Sequence, residues 1–102
     1  GGNNPVSIAY KTVGVAVRSV DAAMRSWAEW VQGGHATQKQ VDTVKKAYGV
    51  YYDTQTTLKT AVDSYAADPT AANKAAIVVA ASGSTASGVA LVSLISQIQG
   101  KK

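Results

Sequence analysis

Catalysis needs a nucleophile, an acid–base pair or a bound metal, and each demands particular side chains at particular spacings. This chain supplies few of them. His35 is its only histidine and Glu29 its only glutamate. A lone imidazole lacks the partners of a zinc site or of a Ser-His-Asp triad, and His35 sits in the turn from Gly33 to Thr37, where it reads as a surface loop residue. Asp42, Asp53 and Asp63 are spread along one predicted helix as solubilising groups, and no two carboxylates fall in the pattern of a paired acid and base. Ser82, Ser84 and Ser87 have no base nearby in sequence. The run from Gly83 to Gly88 lacks the lysine that completes a phosphate loop. There is no cysteine, which excludes disulfides, thiolate metal sites and cysteine nucleophiles. The expectation is a chain that is not an enzyme, with no catalytic, cofactor-binding or metal-binding residue, no cofactor and no small-molecule substrate.

Binding is the other chemistry to weigh. Lys11, Arg18 and Arg25 recur every seven residues and so line one side of a helix. This is either a basic stripe for phosphate or anionic lipid, or a solvated face partly neutralised by Asp21 and Glu29; the solvated face is the preferred reading. Arg18–Asp21, Asp21–Arg25, Arg25–Glu29, Asp42–Lys46 and Lys59–Asp63 stand three or four apart, as ion pairs on exposed helix faces do, each contributing about 0.2–0.5 kcal/mol. Trp30 and Tyr52 fall off the apolar seams described below. Exposed, they would mark a contact surface, since Trp and Tyr are enriched at binding hot spots; otherwise they cover the edges of the fold. Trp30, Tyr52, Lys11, Arg18 and Arg25 are the candidate contact residues.

The elements that position these groups follow from apolar spacing. The first helix is predicted over 5–32, with Asn4 as N-cap and Pro5 in the first turn, where its missing N–H is not needed. Val6, Tyr10, Val13, Val17, Val20, Met24, Trp27 and Val31 alternate by four and three, an unbroken heptad seam. Gly33-Gly34 ends it with a left-handed cap. The second helix is predicted over 38–67. Thr37 and Gln40 form a capping box, and the seam runs through Val41, Val44, Tyr48, Tyr51, Gln55, Leu58, Val62 and Tyr65. Gly49 inside it costs about 1 kcal/mol relative to Ala unless something packs closely there. Asp68-Pro69 stops it.

The third helix is predicted over 71–99 with Thr70 as N-cap. Ile77, Ala81, Ser84, Gly88, Leu91, Ile95 and Ile98 keep the heptad, and Val78, Val89 and Val92 widen the stripe. Its centre, 82–88, holds only small residues. That patch lies level with Val17, Val20 and the tyrosines Tyr48, Tyr51 and Tyr52, so it is either a notch for the rings or a kink that splits the helix. From Ala75 to Gly100 there is no charge, a length sufficient to cross a bilayer. The middle of that run is its least apolar part and there is no aromatic belt, so it reads as the buried partner of the other two helices.

Two short connections favour antiparallel neighbours. The fold expected is all-α: an antiparallel, up-down-up three-helix bundle with long helices, one domain over residues 1–102. Helices of about 27 residues span roughly 40 Å, so the bundle is long and thin. At 46% hydrophobic the 102-residue chain is no disordered tail. Its net charge of +4 is mildly basic, and Lys101 and Lys102 supply two of the charges.

The stretches Ala9-Tyr10-Lys11-Thr12, Val20-Asp21-Ala22-Ala23-Met24, Trp30-Val31 and, in the capped second helix, Lys46-Ala47-Tyr48 resemble small Ala-rich, lipoprotein-like proteins of bacterial and phage genomes. The resemblance covers the first two helices and carries no functional residue. It implies a cell-envelope location with the anchor removed, although the lipid-bearing cysteine is missing. The start Gly1-Gly2-Asn3-Asn4 is either what remains after a signal or lipid-anchor region is removed or a cloning scar. The function expected is a non-catalytic helical interaction or structural module of the bacterial envelope or a phage, working through a protein partner or self-association, with a spare apolar stripe on the third helix or exposed Trp30 and Tyr52 as the contact. The periplasm or envelope is favoured over the cytoplasm. The alternatives are a membrane-associated protein using residues 75–100, or a weak binder of nucleic acid or lipid through Lys11, Arg18, Arg25 and the Lys101-Lys102 tail.

Overall fold

The computed structural model describes residues 4–100, and these fold as three helices: α1 over Pro5–Gln32, α2 over Gln38–Ala67 and α3 over Ala71–Ile98. The boundaries match the spacing-based expectation, except that α3 closes one residue early with Gln99 as C-cap. Lys101 and Lys102 lie outside the described residues, as do Gly1, Gly2 and Asn3.

The helix ends are held by the side chains that predicted them. Asn4 Oδ1 accepts from the backbone N–H groups of Val6 at 2.9 Å and Ser7 at 3.4 Å, taking up donors that the first turn leaves unpaired. At the start of α2 the Gln40 N–H donates to Thr37 Oγ1 at 3.1 Å, and the Thr37 N–H donates to Gln40 Oε1 at 3.0 Å. The Asn73 N–H donates to Thr70 Oγ1 at 3.1 Å. Asn73 does more: its Nδ2 donates to the Asp68 carbonyl at 2.7 Å and to the Ser64 carbonyl at 3.3 Å, clipping the end of α2 to the start of α3. At the end of α1, Gly33 stays right-handed and only Gly34 is left-handed, with φ +78°. The His35 N–H reaches the Trp30 carbonyl and the Gly34 N–H the Val31 carbonyl, so the helix closes one residue beyond the first glycine.

The helices run up, down and up. The N-terminal part of α1 (Ala9, Val13), the C-terminal part of α2 (Leu58) and the N-terminal part of α3 (Ile77, Ala80, Ala81) share one core cluster. Val20 and Trp27, Val44 and Tyr51, and Leu91 and Ile95 share the other. The molecule measures 50 × 23 × 18 Å, long and thin as expected. α3 packs closely against both α1 and α2, whereas α1 and α2 approach each other little. α3 is continuous through its small-residue centre, so that patch is a notch and not a kink. A Cβ at Gly88 would stand 3.2 Å from Tyr51 Cε1 and 3.3 Å from both Ala16 Cβ and Val20 Cγ2. Tyr51 is the ring that fills the notch, while Tyr48 and Tyr52 are exposed.

Burial also corrects the seam of α1. Ala9, Val13, Ala16, Val20 and Trp27 are buried, whereas Tyr10 is 49% exposed and Val31 is exposed. The buried line is itself a heptad, turned about the helix axis from the one that the larger side chains traced. Alanines at the closest contact let α1 approach α3, which leaves Tyr10 on the flank. In α2 the buried positions are Val44, Tyr51 and Leu58. Gln55 fits its seam because its Nε2 donates to Tyr51 Oη at 2.6 Å. In α3 the heptad from Ile77 to Ile95 is buried, but Val78 and Val89 do not widen it.

Candidate contact surfaces

The groups that could do chemistry stand apart. His35 is exposed, with its ring 4.8 Å from the Trp30 ring and tilted by 36°. Glu29, Asp42, Asp53 and Asp63 are all exposed, and Asp42 accepts from Gln38 Nε2 at 2.9 Å. Among the described residues, no three His, Asp or Glu side chains gather where they could hold a metal ion. Ser82 is exposed and Ser84 fully buried. Ser84 Oγ, Thr85 Oγ1 and Trp30 Nε1 are buried without a hydrogen-bond partner; such groups each cost about 1–3 kcal/mol. Burial pushes the Tyr51 phenol above its ordinary value of 10.0; the Gln55 hydrogen bond opposes this, and the Asp21 charge and Tyr48 add to it.

The five candidate contact residues do not form one surface. Lys11, Arg18 and Arg25 are exposed along the side of α1 that faces away from its buried line. Among the described residues the expected ion pairs with Asp21 and Glu29, and those on α2, are not closed. In water, pairing gains little over the freedom of two long side chains. Trp30 is half-buried and packs against the Trp27 cluster, so it covers an edge of the core. Tyr52 is exposed and lines a shallow groove with Tyr10, Gln55, Lys59 and Asp63.

The most exposed of the large apolar side chains, Val79, lies elsewhere, on the side of α3 turned away from α1 and α2. Val78, Val79 and Val89 are 59%, 71% and 61% exposed. A groove on each side extends this face. Between α1 and α3 it is lined by Ile8, Thr12, Val15, Val78 and Val89; between α2 and α3, by Thr57, Thr60, Ala76 and Val79. Two of the groove threonines return their hydroxyls to the helix backbone: Thr12 Oγ1 donates to the Ile8 carbonyl at 2.9 Å and Thr57 Oγ1 to the Asp53 carbonyl at 3.0 Å. Lys74 is the single charged residue that lines these grooves. The signal for this face was present in the uncharged run from Ala75 to Gly100. A buried partner of two helices still keeps an outer side, because a three-helix bundle encloses none of its helices all round. α3 is long and apolar enough to cross a membrane, and only 33% of its most apolar stretch is buried.

Neither a protein family, nor a curated protein, nor a solved structure matches the chain.

Proposed function

We propose that this chain is a non-catalytic helical module that works by contact, and that its working surface is the outer face of α3. The observation that carries this reading is the exposure of Val78, Val79 and Val89 on a helix without a charge from Ala75 onward. A solvent-facing side normally carries charge at helical spacing. Contiguous apolar patches beyond a few hundred Å² are uncommon on free-standing proteins and mark interaction sites. The proposed setting is the bacterial envelope or a phage, on the resemblance set out above.

The test is a photo-cross-linking side chain in place of Val89 in the cell that makes the protein, with Arg18 replaced in parallel. Discrete adducts from position 89 and none from position 18 are expected. No adduct at 89, or the same adducts from both positions, would sink the reading.

A second reading is favoured by the length and hydropathy of α3: the same helix engages a bilayer. Against it stand Ser82, Gly83 and Ser87 at the middle of the helix, where a bilayer is driest. Flotation of the chain with lipid vesicles would establish it. Binding of nucleic acid or anionic lipid through Lys11, Arg18 and Arg25 is the third reading, and affinity that holds steady as salt rises would exclude it.

A further inference from the structure

We infer that the outer face of α3 is covered by a second copy of this chain, α3 lying antiparallel on α3 across a two-fold axis. The inference rests on the contact reading above and names the partner.

Charge is the first argument. Each chain carries +4, so two copies repel where their charged faces meet. The uncharged face of α3 is where a copy can dock without bringing like charges together, and a two-fold contact sets a patch against itself. Size is the second argument. The uncharged part of α3, residues 75–98, spans about 36 Å at about 1.5 Å per residue. The molecule is 18–23 Å across. A face about 36 Å long and about 20 Å wide offers on the order of 700 Å² per partner, within the range of a standard stable interface.

Shape is the third. Ala86 is exposed near the middle of α3. An antiparallel pair centred on Ala86 places Val79 of each copy opposite Ser93 of the other, and brings Val89 level with the small residues Ser82 and Gly83. Nothing in the chain lies within 4 Å of where a Cβ on Gly83 would stand, so an open notch meets an exposed valine. Large side chains against small ones let facing layers interlock. A bilayer fits less well, because inserting α3 strips Ile77, Leu91 and Ile95, all at most 1% exposed, from α1 and α2.

The absence of cysteine makes the test clean. In the full chain, Ala86→Cys puts a sole thiol on the proposed axis. Mild oxidation is expected to give one product of twice the chain mass, reversed by reductant, while Arg18→Cys gives little. Sedimentation of the unsubstituted chain should report a dimer. Ala86→Lys should weaken it by about 100-fold or more, since like charges forced together at an interface cost several kcal/mol. Circular dichroism should show its helicity unchanged, as residue 86 is exposed. A chain that stays monomeric at about 100 μM, near the weak end of specific association, overturns self-association. So does a dimer that Ala86→Lys leaves intact. If the chain is monomeric and the probe at position 89 captures a chain of another mass, the contact surface stands and self-association falls. If the monomer floats with phosphatidylcholine–phosphatidylglycerol vesicles, the face belongs to lipid and self-association again falls. If position 89 captures nothing and the chain is monomeric, both readings fall.

Discussion

Gly49 and Gly88 both sit inside helices, yet a methyl group would act in opposite directions at the two. Nothing lies within 4 Å of where a Cβ on Gly49 would stand, whereas Gly88 faces Tyr51, Ala16 and Val20 at 3.2–3.3 Å. Gly49→Ala should therefore gain about 0.5–1 kcal/mol from helix propensity. Gly88→Ala should lose up to about 2 kcal/mol, because crowding a packed core costs about 1–3 kcal/mol against a propensity gain of about 1 kcal/mol. The urea midpoint at constant m-value reads both. The sequence presents the same residue twice; only the facing helices tell the two apart. Tyr51, the ring in that notch, has its phenol pKa raised by burial. The folded state thus holds this proton more tightly than the unfolded chain does. The resulting stability is complete below the unfolded value of about 10 and is lost as pH rises through the folded pKa. Tyr51→Phe should flatten that alkaline decline in a series of denaturation curves, at the expense of the Gln55 hydrogen bond.

Helix ends were legible because capping is local: Asn4, Thr37 and Thr70 each act within three residues of themselves. Which side of α1 is buried was less legible. Large apolar residues trace a stripe through Tyr10 and Val31, but the buried line runs through Ala9 and Ala16, since the closest helix contacts need the smallest side chains. Trp27 belongs to both lines and is 6% exposed. Trp27→Ala should cost about 3–5 kcal/mol, the range for a buried aromatic, whereas Tyr10→Ala should cost less than about 1 kcal/mol, as for most surface positions. Equal losses from chemical denaturation would show that Tyr10 is as much a part of the core as Trp27. The contact surface was half legible for a related reason. An uncharged run identifies a helix with apolar surroundings, but its outer neighbour belongs to another molecule and leaves no mark in this chain.

Across the whole molecule, α3 is the common partner. It contributes Ile77, Ala80 and Ala81 to one cluster and Leu91 and Ile95 to the other, and it separates two helices that pack little on each other. A chain ending at Asp68 should lose well over half its helicity and show no cooperative thermal transition by circular dichroism, because isolated helices are marginal in water. A sharp transition would mean that α1 and α2 sustain each other. The same geometry bears on synthesis. Domains generally form as the ribosome delivers them, from the amino end onward, but here the first helix delivered has its main resting place on the last. α1 must wait, greasy side bare, until the final third of the chain has emerged, and during that interval the nascent protein is most open to aggregation and to capture by chaperones.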